Sequence, residues 1–421
     1  MKIFIGLTDI AGYCSSLKRG FDEIGVESIF VSLYRHPFQY RRDDDNEPIL
    51  KAMYRLQENR DRSTSIVALM YNSLLLVLRF CLFIKVLISC DVFLFCFMDS
   101  FFDYHELPVL KLFRKKIIYL FLGSDSRPLY INGKFLDLPV EELIDRTSIQ
   151  KQKISKIEKY ADIIINHPPS AHYHERRFVQ FMRLGFPLSC PEIKEVKPQA
   201  TRRIPRILHA PSVAKGKGTD RIVAALEILR SKGHCFEYVE IQGKPNSVVI
   251  DELSRCDFVV DELYSDAVMA GFAAEAAFFG KPAIVGGYVT DRDLGDLPDG
   301  LLPPVHRCLP EQIEDAIDKL LTDVPYRQDL GRRAQEFVKQ TWSSREVAER
   351  YLRIIQGSAP PDWSYDPAEI RYLHGWGLTE LQARTLVHRY LDAGGVSALH
   401  LADKPRLVER FREFSCEQGC T

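Results

Sequence analysis

The feature that most constrains this chain is an alternation of strand-like and helix-like segments that runs twice, on either side of a proline- and lysine-rich interruption. In the first run the spacing predicts strands over Lys2–Leu7, Glu27–Leu33, Val92–Phe97, Lys116–Phe121 and Asp162–Asn166. Helices are expected over Ser15–Ile24 and Ile149–Tyr160, and the polar stretch Arg41–Glu47 reads as a loop. Short apolar strands separated by helices imply a parallel sheet covered on both faces. Pro187–Ala200 lacks periodicity and reads as a linker. Alternation then restarts, with strands over Arg206–Ala210, Phe236–Gln242, Asp257–Val260 and Ala283–Val285. The helices of this second run are Thr219–Arg230, Ser247–Ser254 and Ala273–Phe279, followed by Pro310–Leu321, Tyr326–Gln340 and Ser344–Ile355. A chain of 421 residues exceeds what one core holds. The expectation is therefore an α/β protein of two parallel-sheet domains, 1–190 and 201–355, with a ligand cleft between them.

The segment after Gly357 changes character. Ser358–Glu369 is linker-like, and Asp366–Pro367 places proline at a helix start. Thr379 to Gln382 has the capping-box form ahead of a helical pattern that Gly394–Gly395 stops, and Asp403 with Pro405 opens another helix. Residues 365–421 read as a small all-helical extension, too short for a core of its own, that docks on the main body or mediates self-association.

Net charge is −1, which gives no general pull toward nucleic acid, and the basic run Arg114–Lys116 lacks the aromatic interleaving of a nucleic-acid surface. Residues 1–190 carry 26 Lys and Arg against 22 Asp and Glu, and the remainder 30 against 35, so any attraction to an anionic surface belongs to the N-terminal half. The run Ile66–Phe97 is the most apolar part of the chain, but Arg79, Lys85 and Asp91 interrupt it. It reads as a buried helix followed by a strand, with shallow peripheral membrane contact as the other reading. MKIFIGL ends too early at Thr8 and Asp9 for a leader and reads as the first strand. Ten cysteines form no CxxC pair, and Cys81, Cys90, Cys96 and Cys256 sit in apolar runs. That usage suggests a reducing, cytoplasmic setting, with the inner face of a membrane as the variant. Cys416 and Cys420 are two thiols, too few for a metal site.

Two segments carry chemistry. In His209–Leu229 a strand ends, a loop with Lys215, Gly216, Lys217 and Gly218 follows, and a helix begins at Thr219–Asp220. A helix N-terminus with a nearby lysine suits a diphosphate, although an ordinary turn with an exposed lysine has the same sequence. In Asp257–Gly287 a strand leads to a short helix carrying Glu275, closed by Gly280, Lys281 and Pro282. A carboxylate there can accept two ribose hydroxyls, or merely support its helix.

Strand–KGT–helix, an interval of about 40 residues and then GFxxEAxxxGKP together resemble the donor domain of family 4 (group 1) glycosyltransferases. The likeness spans roughly 201–355 and, more faintly, 1–190. It implies the GT-B fold, two Rossmann-like domains facing a cleft. It implies transfer of a sugar from a nucleotide-diphosphate donor with retained configuration, without bound metal or cofactor, the nucleotide-sugar being substrate. It assigns Lys217 to the donor diphosphate, Glu275 to the nucleotide ribose, the amides of Gly271 and Phe272 to the phosphates, and Gln242–Gly243 to the base. Three positions depart from the pattern: Ser212 stands where the family often has arginine, Ala267 where many members have a first glutamate, and Leu122 where the stretch before GSDSR has histidine. Lys215 is the candidate substitute for the arginine, as a point charge.

On the facing side the likeness places DIAGY (Asp9–Tyr13) against phosphate or acceptor, with Gly12 allowing a sharp turn. Asp125 and Arg127 are the acceptor-side candidates, Asp125 also as a catalytic residue or as a turn former. His167, His172 and His174 with Glu175 lack a metal-ligand spacing and read as exposed. The functional expectation is a glycosyltransferase acting on a saccharide, lipid-linked or protein acceptor. The alternatives are a catalytically degenerate binding or assembly partner, and a nucleotide-sugar epimerase or hydrolase.

Overall fold

The computed structural model describes residues 1–33, 48–61, 65–188, 204–295 and 297–416. The Arg41–Glu47 stretch, nearly all of the 187–200 linker and Cys420 lie outside the described residues.

Among the described residues twelve strands form two sheets. β1 (Ile3–Leu7), β2 (Ser28–Ser32), β3 (Val92–Cys96), β4 (Lys116–Leu120), β5 (Ile163–Asn166), β6 (Phe178–Gln180) and β12 (Ser364–Tyr365) make the first, in the order β12-β6-β5-β4-β3-β1-β2. β7 (Arg206–His209), β8 (Glu237–Glu240), β9 (Phe258–Val260), β10 (Ala283–Gly286) and β11 (His306–Cys308) make the second, in the order β11-β10-β9-β7-β8. Every pairing is parallel except β12 with β6. The central strands β1 and β3 are buried along their whole length, which is why they read as unbroken apolar runs rather than alternating ones. Edge strand β8 (EYVE) turns its two glutamates to solvent. The result is the two-domain parallel α/β architecture expected of a GT-B fold.

The domains are bound by more than a linker. The helix Ser344–Gln356, expected at the end of the second unit, lies beside Tyr13–Glu23 on the first sheet, and Val347, Ala348, Tyr351, Ile354 and Ile355 join Leu17 and Phe21 in one core. Gly20 permits the contact, since a Cβ there would sit 2.0 Å from the Ser344 carbonyl oxygen.

The tail differs from the expectation in two respects. The Pro367 start makes only a single turn, Pro367–Glu369, and the strand β12 before it extends the first sheet, so the extension is not all helical. The helices Glu380–Gly394 and Pro405–Cys416 are present, with the Thr379–Gln382 capping box formed. Both pack into the core of the first sheet: Tyr130 lies 4.8 Å from Tyr390 and 5.5 Å from Phe411, centroid to centroid. Strands β6 (FVQ) and β11 (HRC) lack the apolar run that marks the equally short β9 (FVV), so the sequence does not announce them.

Two further expectations fail. His172 and His174 are fully buried rather than exposed. His174 lies between Asn166 (2.8 Å) and Glu158 (3.0 Å), and His172 meets the Tyr372 carbonyl (2.7 Å), tying core to tail. The helix Ser65–Ser89 is mostly exposed, because only Leu82, Phe83, Val86, Leu87 and the cysteine after it enter the core. Cys81, on that helix, is exposed as well.

Because Phe411 is fully buried against Tyr130, Phe411→Ala should destabilise the whole chain, not just the tail, by about 3–5 kcal/mol. A urea-unfolding midpoint that does not move would show the tail to be an independent appendage.

Candidate functional site

The carboxyl edges of the two sheets face each other across a cavity of about 520 Å³. The first sheet contributes the turn after β1 (Ile10, Ala11), the turn after β4 (Leu122–Ser124) and Arg127. The second contributes the β7 turn with Ser212 and Lys217, Gly243 and Asn246 after β8, and Gly271, Phe272 and Glu275. A second hollow of about 540 Å³ lies between the loop after β10, Tyr288–Asp293, and the tail, and shares no lining residue with the first. The site is built on the cleft because parallel sheets place free loop ends and helix N-termini there.

Lys217 reaches this cavity from a short helix, Ala214–Lys217, that ends where Gly218 takes φ 74° and starts the helix Thr219–Ser231. A side chain at Gly218 would also collide with Leu263, whose Cβ lies 2.7 Å from the position of a Cβ there. The Lys217 ammonium lies 3.1 Å from Asp261 and 3.1 Å from Glu262, which follow β9 directly. Burial alone pulls its pKa down, but the two carboxylates outweigh that and hold it above the ordinary lysine range. Two of the three ammonium N–H groups are thus engaged and one is left for a ligand. Glu262 also accepts from the Trp376 indole at 2.9 Å, and burial notwithstanding, its pKa stays below the usual value because of Lys217 and Trp376. Asp261 accepts from the Ala273 amide (3.3 Å), so one acid ties the lysine to the first turn of the helix Gly271–Phe278.

That helix carries Glu275 into the same cavity. Glu275 accepts from Asn246 at 3.0 Å, and burial pushes its pKa up to about 7. The Lys217 charge acts on it in the opposite sense, so the two groups share one electrostatic environment. At the helix start Ala270, Gly271 and Phe272 face the cavity. A Cβ on Gly271 would come 3.2 Å from Ala11, so glycine keeps this turn close to the β1 loop, where Gly12 holds φ 73°.

Arg127 donates through Nε to Asp266 at 2.7 Å and through Nη2 to the same oxygen, and both side chains are buried. This ion pair crosses from the first domain to the second. Arg127 also stacks over Trp376, 5.7 Å from the ring.

The remaining candidates divide. Gly243, Gly271 and Phe272 line the cavity; Gln242 is exposed beside it, and Gly12 and Gly218 shape turns without lining it. Lys215 turns outward to Asp137 (2.7 Å) with most of its side chain in solvent, so it does not replace the missing arginine. Asp125 lies beneath the cavity, accepting from the Leu122 amide at 3.0 Å, which is the turn-former geometry. Its second oxygen has no hydrogen-bond partner among the described residues, and burial raises its pKa to about 7. Ser212, Ala267 and Leu122 all line the cavity, without arginine, acid or imidazole chemistry. Sequence reasoning missed Asp261, Glu262, Asp266, Asn246 and Trp376. The acids had a local signal, an Asp–Glu pair closing an apolar strand, whereas Trp376 reaches the site through the tail's path.

Arg127→Ala leaves Asp266 buried without its cation, so a loss of about 3–5 kcal/mol is expected, with Arg127→Ala/Asp266→Ala recovering part of it. Equal urea midpoints for wild type and Arg127→Ala would mean that the pair does not hold the domains.

No protein-family model matches the chain, and no curated protein matches its sequence. Solved structures do match in shape. OtsA in its apo form aligns with 10% identity over 86% of this chain and all of that one, with a TM-score of 0.50. Sucrose-phosphate synthase from Thermosynechococcus elongatus aligns with 12% identity over 85% of this chain and 98% of that chain, at 0.48. Anabaena HepE in complex with UDP-glucose aligns with 9% identity over 85% and 99%, at 0.45. At such identities the likeness concerns the fold.

Proposed function

We propose that the protein is a glycosyltransferase that binds a nucleotide-diphosphate sugar in the interdomain cavity. The observation that carries this reading is that Lys217, Glu275 and the Gly271–Phe272 turn open into one cavity, although 58 residues separate Lys217 from Glu275 in the chain.

In this reading the ionised Glu275, oriented by Asn246, accepts the ribose hydroxyls. The remaining Lys217 N–H and the amides of Gly271 and Phe272 hold the diphosphate. As the bond from the sugar to the diphosphate breaks and the acceptor hydroxyl oxygen takes its place, charge grows on the leaving phosphate. Lys217 is already fixed by Asp261 and Glu262, so it meets that charge without reorganising. The hydroxyl proton leaves with a base or to solvent. Retained configuration, independence of metal and an acceptor that is a saccharide, lipid-linked or protein hydroxyl belong to the same proposal by resemblance. Arg127 enters it as the cross-cleft tie and Asp125 as the support of the turn that faces the acceptor.

The bare Ala267, Ser212 and Leu122 positions favour one second reading, a nucleotide-sugar binder without turnover. A panel of UDP-, GDP-, ADP-, CDP- and dTDP-sugars separates the cases: a transferase needs an added acceptor for turnover, a hydrolase or epimerase does not, and a pure binder gives a thermal shift alone. Lys217→Ala is expected to weaken donor binding and turnover together by at least about tenfold. Folded protein with unchanged affinity would reject the assignment.

Glu275 supplies a pH test. Its folded pKa lies above the ordinary carboxylate value, so it holds its proton more tightly when folded, and its contribution to stability is lost as pH rises from the usual range through about 7. Glu275→Gln should therefore raise the melting temperature at pH 8 while weakening donor binding. In the wild type, donor affinity should increase about tenfold between pH 6 and pH 8, as the ionised fraction does. The variant should show a flat profile, and a flat wild-type profile would remove Glu275 from ribose binding.

A further inference from the structure

The helix Ser65–Ser89 carries an apolar face that the other described residues leave uncovered. From Ile66 to Cys81 no side chain is buried. Ile66, Leu69, Met70, Val77, Phe80 and Ile88 each leave more than half of their surface in solvent. At 100° per residue these six fall within one half of the helix circumference. They span about 33 Å along the axis, at 1.5 Å per residue.

The charge on this element has one sign. Residues 65–89 contain no Asp or Glu, and their only charged side chains are Arg79 and Lys85. Beyond its C-terminal end the same character continues: exposed Leu112 and Phe113 are followed by Arg114 and Lys115. Lys115 lies close enough to Cys90 to act on its thiol, so this corner adjoins the helix end.

We propose that this face docks in the headgroup–acyl boundary of an anionic phospholipid bilayer, with the helix lying in the membrane plane. Ile66–Ser89 has the length and mean hydropathy (2.1) to cross a membrane. Crossing would pull Leu82, Phe83, Val86 and Leu87 out of the core, where Phe83 packs 5.2 Å from Phe101. Lying flat keeps those contacts and buries only the exposed half. A second protein chain fits this face less well, because protein interfaces combine an apolar centre with a polar, hydrogen-bonded rim of both charge signs. Lipid phosphates complement a corner in which the exposed Arg114 and, next to it, Lys115 join the apolar face, with Asp91 the acid beside them. The proposal does not rest on the donor site.

The test uses the full chain, sedimented with phosphatidylcholine vesicles with and without phosphatidylglycerol. Wild type should co-sediment with the anionic vesicles. Met70→Glu/Val77→Glu alters only exposed positions, so it should keep the wild-type circular dichroism and melting temperature while losing at least about tenfold in vesicle binding. Arg114→Ala and Lys115→Ala should each cost about fivefold on anionic vesicles and nothing on neutral ones. Absence of vesicle binding by the wild type, unchanged binding by the folded glutamate variant, or a wild-type dimer that this variant dissociates would each overturn the proposal.

Discussion

The buried ion pair between Arg127 and Asp266 joins the two domains within the cleft wall. Its neighbours reinforce it. Trp376 stacks on Arg127 and donates to Glu262, while the Gly377 amide reaches the Tyr264 carbonyl at 2.9 Å and the Gly133 amide reaches the Trp376 carbonyl at 2.8 Å. A segment of the tail therefore runs from the first domain to the second along the cleft wall. Separating the domains along this wall would break these contacts.

The same wall explains the electrostatics. Two cations, Lys217 and Arg127, face Asp261, Glu262, Asp266 and Glu275 in a space shielded from water. Proteins bury charges only when they are paired; burial raises the pKa of Glu275, which has no cation in contact, to about 7, and raises that of Asp261 as well despite Lys217, whereas Lys217 and Trp376 hold Glu262 below its usual value. In the proposed function this cavity, with Glu275 and the pinned Lys217 opening into it, receives a ligand carrying both hydroxyl donors and negative charge.

Much of this was legible in the sequence because it is local. β1, β3 and β4 announced themselves as apolar runs, and the capping box at Thr379 fixed a helix start to the residue. That Lys217 and Glu275 open into one cavity followed from two motifs, each tied to a strand end. What was illegible is long range. The composition of the helix Ser65–Ser89 reads as core, since a sequence shows apolarity but not what covers it. Lys215 and Lys217 are equivalent on paper; the short helix between Val213 and Gly218 turns one outward to Asp137 and the other inward to Asp261. His172 read as exposed because the Tyr372 carbonyl that meets it arrives 200 positions later, and His174 because Glu158, Asn166, Phe121 and Phe178, which enclose it, come from separate elements.

The central claim is that one bound nucleotide lies between Lys217 and Glu275. Crystals soaked separately with UDP, GDP, ADP, CDP and dTDP test it directly. At least one soak should show diphosphate oxygens within hydrogen-bond reach of Lys217 and the Gly271–Phe272 amides, with ribose hydroxyls on Glu275. A nucleotide ordered elsewhere, or Lys217 and Glu275 contacting no ligand in any soak, would contradict it.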